Sequence, residues 1–124
     1  MKFTEHRDPN VNMIQQYSLS EVRVNQQRLN RSAIISQQHL VTDWPISHID
    51  QLNAQHLDAL LQLKPEVLII GSGEHQRFPA SKWFGYCAQH GVSLEVMAND
   101  AACRTYNILT TEDRVVILGL ILPD

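Results

Sequence analysis

The chain is poor in the residues that mark specialised protein classes. Of its 124 residues only Cys87 and Cys103 are cysteine, too few for a disulfide framework and in keeping with a reducing compartment. No Cys-x-x-Cys pair and no His-x-His or His-x-x-x-His spacing occurs, although six histidines are present, so there is no local metal-ligand signature. The longest apolar run, residues 115–122, falls far short of the roughly 18 residues that cross a bilayer. Residues 1–9 hold no apolar signal core. Ten Lys and Arg against thirteen Asp and Glu leave a formal charge of −3 with no block of like sign. Nucleic acids and anionic membranes reward a basic surface, so no nucleic-acid partner and no membrane insertion are expected.

What is present is ordinary for a globular chain: 44% hydrophobic and 19% charged residues. The length predicts one domain. The first ten residues are polar and read as a flexible N-terminal arm, leaving residues 11–124 as a single α/β domain in the cytoplasm. In residues 11–36 the pattern is short and strand-like. Val22 and Val24 alternate with Glu21, Arg23 and Asn25, and Asn25-Gln26-Gln27 is the expected reversal. With residues 33–35 and 40–41 this half predicts a small antiparallel sheet.

The second half alternates helix and strand. Asn53 can cap a helix with Ala54, Leu57, Leu60 and Leu61 on one face, which Pro65 stops. Residues 66–70 and 115–122 are apolar without alternation, the mark of strands covered on both faces. Pro79 suits the first turn of a helix carrying Ala80, Trp83, Phe84 and Cys87 on one side, ended by Gly91. Val92, Leu94 and Val96 alternate as a half-buried strand. Asn99 or Asp100 can cap a last helix from Ala101 to about Leu109. Alternation of this kind argues for α/β.

Three segments carry a resemblance. They are Pro65-Glu66-Val67-Leu68-Ile69-Ile70-Gly71-Ser72-Gly73, then Gly91-Val92-Ser93-Leu94-Glu95-Val96-Met97, then Ala101-Ala102-Cys103-Arg104-Thr105-Tyr106-Asn107-Ile108-Leu109. In this order they resemble a domain-of-unknown-function family of bacterial, archaeal and mitochondrial proteins that includes the mitochondrial NADH dehydrogenase (ubiquinone) complex I assembly factor 3. With Trp44 the resemblance spans nearly the whole chain from Val11. Ser72 stands where relatives carry Thr, and Met97-Ala98-Asn99-Asp100 where they carry Met-Asp-Thr. The resemblance implies a three-layer α/β domain: a central mixed sheet, helices on one side and a small antiparallel β layer. It implies no established reaction, cofactor or catalytic residue.

Two constellations invite a functional reading. Gly71, Ser72 and Gly73 follow a strand, where glycines let backbone N–H groups approach an anion. Gln76 breaks the dinucleotide fingerprint, and Ile70 excludes a nucleophile elbow. The alternative is a tight turn. Arg104 and Asn107 share a helix face, with Thr105 beside them and Asp100 one turn earlier. They form either a polar pocket wall for a carboxylate or phosphate, or a simple Asp100–Arg104 pair. Cys103, among Ala101, Ala102 and Tyr106, reads as a small buried hydrophobe rather than a nucleophile, and Trp83 and Phe84 as core. The resulting expectation is a non-enzymatic accessory protein, with no cofactor, that binds an unidentified protein partner. The competing expectation is a small anionic metabolite, bound or transformed between residues 71–73 and the Arg104 helix.

Overall fold

The two unbroken apolar runs occupy the centre of a five-stranded sheet, where both faces are covered. A computed structural model describes residues 10–123, so the expected N-terminal arm lies almost wholly outside the described residues. In chain order the strands are β1 (Ile14–Tyr17), β2 (Val22–Val24), β3 (Gln27–Leu29), β4 (Ala33–Ser36), β5 (Leu40–Val41), β6 (Val67–Gly71), β7 (Ser93–Met97) and β8 (Val116–Leu120). The helices are α1 (Ala54–Leu61), α2 (Lys82–Gln89) and α3 (Asn99–Thr111). The large sheet has the order β5-β4-β8-β6-β7, and β1-β2-β3 form a separate small sheet. β6 runs parallel to both β7 and β8, whereas β4 is antiparallel to β8 and to β5.

Alternation along the central strands sorts their side chains into two cores. Leu68 and Ile70 of β6, with Ile117 of β8, face Leu57 and Leu60 of α1 and Cys87 of α2. Ile69, Val116, Leu118 and Leu120 face Ala102, Cys103 and Tyr106 of α3, together with Ile14, Val22 and Val24 of the small sheet. Helices therefore cover both faces: α1 and α2 one, α3 and the small sheet the other. The reason is topological. The β6–α2–β7 and β7–α3–β8 crossovers run in opposite directions along the sheet. A single crossover hand, right-handed in nearly all such units, then requires the two helices to lie on opposite faces.

The helices that the resemblance implies on one side thus lie on both, and a second expectation needs correction. β4 and β5 belong to the large sheet, not to the small antiparallel one. All four residues of β4 are buried; Ala33 and Ile35 pack into one core and Ile34 into the other. A strand apolar on both faces cannot sit in a thin outer layer.

Local signals account for most boundaries. Asn53 caps α1, its Oδ1 accepting from His56 N–H while His56 Nδ1 accepts from Asn53 N–H. Asn25 takes φ 52° in the two-residue turn between β2 and β3. The helix expected from Pro79 begins later, at Lys82, with Pro79 buried just ahead of it. Trp44 is buried with its ring over Gly119, where a Cβ would come within 2.7 Å of the indole. Only glycine lets that ring come so close to β8.

Leu68 is wholly enclosed at the middle of β6. Leu68→Ala should therefore cost about 2–5 kcal/mol of unfolding free energy, because the cavity left cannot collapse fully. Urea unfolding should show a lower midpoint at an unchanged m-value.

Candidate functional site

The carboxyl ends of β6 and β8 meet at one rim of the large sheet, the place where open α/β sheets usually bind ligands. Here the rim is held together by a residue the capping argument misassigned. Asn99 is the first residue of α3, but its side chain does not cap that helix; Ala98 holds the N-cap position with no side-chain bond. Asn99 is 1% exposed. Its Oδ1 accepts from Gly73 N–H at 3.0 Å and its Nδ2 donates to the Ile121 carbonyl at 2.8 Å. Asn99 N–H in turn donates to the Gly73 carbonyl at 2.8 Å. The amide is thus claimed by the two strand ends and is not available to the helix. Tyr17 of the small sheet also bonds the Asn99 side chain; burial raises its phenol pKa while that bond acts the other way.

The three loop residues serve this joint. A Cβ on Gly71 would run into Asn99 Oδ1 and come within 2.8 Å of Leu120 Cδ1, so glycine is required by close approach. Gly73 has φ +122°, outside the range of ordinary side chains. Ser72 is buried; its hydroxyl lies 3.0 Å from the His75 carbonyl and 3.2 Å from that of Met97, and it accepts from Arg77 N–H at 3.0 Å. Ser72 N–H donates to the Met97 carbonyl at 2.8 Å. The amides of Ser72 and Gly73 are therefore engaged inside the protein.

The expected pocket wall on α3 does not form one surface. Asn107 is buried and turned towards β1, accepting from Ile14 N–H at 3.0 Å and donating to the Ile14 carbonyl at 2.8 Å. Tyr106 adds a bond from its hydroxyl to the Asn12 carbonyl at 2.8 Å. Arg104 lies on the exposed side, 3.8 Å from Asp100, each side chain 47% exposed. Thr105 is half-buried. Burial pushes the Cys103 thiol up to about 12, with the neighbouring Asp100 charge acting in the same direction, and burial raises Cys87 also. Neither thiol is activated.

A cleft of about 300 Å³ does open at the rim. It is lined by Leu19, His48, Ser72, Gly73, His75 and Arg77 among others, and by none of Asp100, Arg104, Thr105 or Asn107. His75 and Arg77 were not legible as site residues, since neither falls in a motif. Beside the cleft, residues 78–86 hold four of the chain's eight aromatic residues. Phe78 is 61% exposed and its ring centroid stands 6.4 Å from that of Phe84; Trp83 packs edge-on to Tyr86, and Lys82 Nζ lies 4.8 Å from the centroid of the Trp83 ring. Trp83 and Phe84 were expected in the core, but both are only half-buried, and Cys87 is the one buried residue of α2. Among the described residues no group of three or more His, Cys, Asp or Glu could hold a metal ion. No described helix is long and apolar enough to cross a membrane.

Residues 14–121 match the family described as "Protein of unknown function (DUF498/DUF598)". The chain belongs to this family. It is 41% identical over 71 residues, 57% of its length, to a Francisella tularensis protein named "13 kDa major membrane protein". It is 28% identical over 115 residues, 90% of its length, to the Drosophila melanogaster NADH dehydrogenase [ubiquinone] 1 alpha subcomplex assembly factor 3. The matches span only 58% and 59% of those two relatives. Among solved structures, a Xanthomonas campestris protein is 39% identical with a TM-score of 0.83, over 96% of this chain and 89% of that one. A Bordetella parapertussis protein is 32% identical with a TM-score of 0.84, over 92% and 97%. The DUF498/DUF598 fold is thereby the fold of this chain.

Two measurements check the site. Asn99→Ala strands the Gly73 N–H and the Ile121 carbonyl in a buried place, and should destabilise by about 1–3 kcal/mol for each group left unmet; urea midpoints give the value. The Cys103 thiol, raised in the folded state above its ordinary 9.0, ionises first in the unfolded chain. Its contribution is therefore whole below pH 9 and declines as pH rises towards 12. Cys103→Ala should flatten the fall of stability with pH across that window.

Proposed function

We propose that this chain is an accessory protein of the assembly-factor type that acts in the cytoplasm by contact with other proteins rather than by catalysis. The observation that carries the reading is the half-exposed aromatic surface of residues 78–86. A helix with a single buried residue and exposed Phe78 beside it leaves large, rigid apolar side chains in water. Aromatic side chains of this sort dominate the energetics of protein interfaces. The names of the insect and vertebrate relatives, all complex I assembly factors, support the same class. The engaged amides at residues 72 and 73 weigh against an anion cradle there.

A second reading, a small anionic metabolite at the rim, draws on Arg77. That residue lines the cleft and makes no ion pair among the described residues. Affinity capture at native expression, with mass spectrometry of proteins and small molecules, separates the two. Phe78→Ser should leave the melting temperature near that of the parent, because the ring is mostly in solvent, while reducing recovery of the captured protein at least about tenfold, the loss expected of one interface anchor. A stoichiometric metabolite, retained by the parent and lost with Arg77→Gln, would favour the second reading.

A further inference from the structure

The small sheet carries on its outer face a charge arrangement that its own stability does not call for. β2 and β3 are antiparallel, with Arg23 directly opposite Arg28. Val22, Val24 and Leu29 point into the core, so alternation places both arginines on the solvent side. The two-residue turn between the strands makes Val24 and Gln27 the hydrogen-bonded pair that closes the hairpin. Arg23 and Arg28 are then the next, non-hydrogen-bonded pair, in which opposed side chains stand closest. Like charges so placed destabilise a sheet.

Among the described residues no ion pair relieves them. A side-chain hydrogen bond of Arg23 runs 3.4 Å to Gln26 Oε1, and among the described residues its buried Nε has no partner. Arg28 makes no ion pair among the described residues. On the other side of Arg23 the cross-strand neighbour is Gln16, which is neutral. The nearby Arg31 is drawn instead to Asp43, at 3.7 Å. In a chain of net charge −3, two opposed cations with spare donors are not a by-product of a basic composition. Among the described residues β3 is also an edge strand of its sheet. In a non-hydrogen-bonded pair the backbone N–H and C=O of Arg28 point away from β2, towards that edge.

The geometry points to a docking site for an extended acidic segment of a partner protein, added along β3 as a fourth strand. Its main chain pairs with the outward groups of Arg28, and a Glu or Asp opposite Arg28 meets the guanidinium fork on the outer face. A second carboxylate two residues along the segment, on the same face, reaches the Arg23–Arg28 pair. This rests on the protein-contact reading and names the chemistry of one partner; the site is distinct from the aromatic surface of residues 78–86.

The test uses the whole chain and three probes: a Glu-Val-Glu-Val-Glu peptide with blocked ends, its Gln-Val-Gln-Val-Gln counterpart, and inorganic phosphate. In nitrogen-15 spectra the acidic peptide should shift the Arg28 backbone amide and the Arg23 Nε–H signals, with an affinity that falls as salt rises. Arg23→Gln and Arg28→Gln should each weaken it about tenfold, the effect of losing one charge-assisted contact. Arg28→Glu should abolish binding yet raise the melting temperature of the free chain, since it turns a repulsive pair into an attractive one. Equal binding of the glutamine peptide, saturation of the same signals by phosphate, or a lower melting temperature for Arg28→Glu would each overturn the proposal. If the acidic peptide fails while native capture still returns a partner lost with Phe78→Ser, the docking site falls and the accessory reading stands.

Discussion

The carboxamide of Asn99 joins segments that chain order keeps apart: the end of β6 through Gly73, the end of β8 through Ile121, and the start of α3. A buried amide is tolerated only when its donors and acceptors are met, and here they are met by the strand ends themselves. Several local choices follow from that one placement. Gly71 must lack a side chain because Asn99 Oδ1 occupies the space. Gly73 must turn with positive φ to present its N–H. α3 begins without a side-chain cap because the residue best suited to the task is already committed.

The same joint decides what the rim can do. In many α/β sheets the amides after a strand remain open and become an anion cradle. Here those of Ser72 and Gly73 go to Met97 and Asn99, and on α3 Asn107 bonds Ile14 of β1 while Tyr106 bonds Asn12 just before it. Internal satisfaction makes the rim rigid and moves chemistry outward. Among the groups that face solvent are aromatic side chains around α2 and guanidinium groups on the loops and the hairpin. Those are groups suited to recognising another macromolecule.

The legible parts of the fold were those governed by local chemistry. The runs that became β6 and β8 show their double burial as missing alternation, and the Asn53 cap and the Gly91 stop follow from backbone preference. Hairpin residues 22–29 were legible from alternation and the Asn25 turn. Partnering was not. A four-residue apolar strand such as β4 reads the same whether it lies beside β2 or beside β8, because the sequence carries its burial but not its neighbour. The candidate site suffered likewise. Arg104 and Asn107 lie three apart on one helix, which suggests a shared wall, yet their directions still differ by about 60°, and at the edge of the buried face of α3 that places Asn107 in the core and Arg104 in water. Asn99 looked like a cap because its type and position fit one; its actual bonds reach 22 and 26 residues away.

The clamp of Asn107 on Ile14 has a bearing on synthesis. It links residues 93 positions apart, and β4 finds its central partner only in β8. Hairpin β1–β3 therefore leaves the ribosome with its inward face bare, and β4 follows with one flank unmet, until more than a hundred residues have been made. An isolated few-stranded hairpin is marginal in water, so neither can settle early. α3 and β8 must be made before the hairpin and the inner flank of β4 have their partners, and during that interval Ile14, Val22, Val24 and Ile35 are the side chains a nascent-chain chaperone would meet.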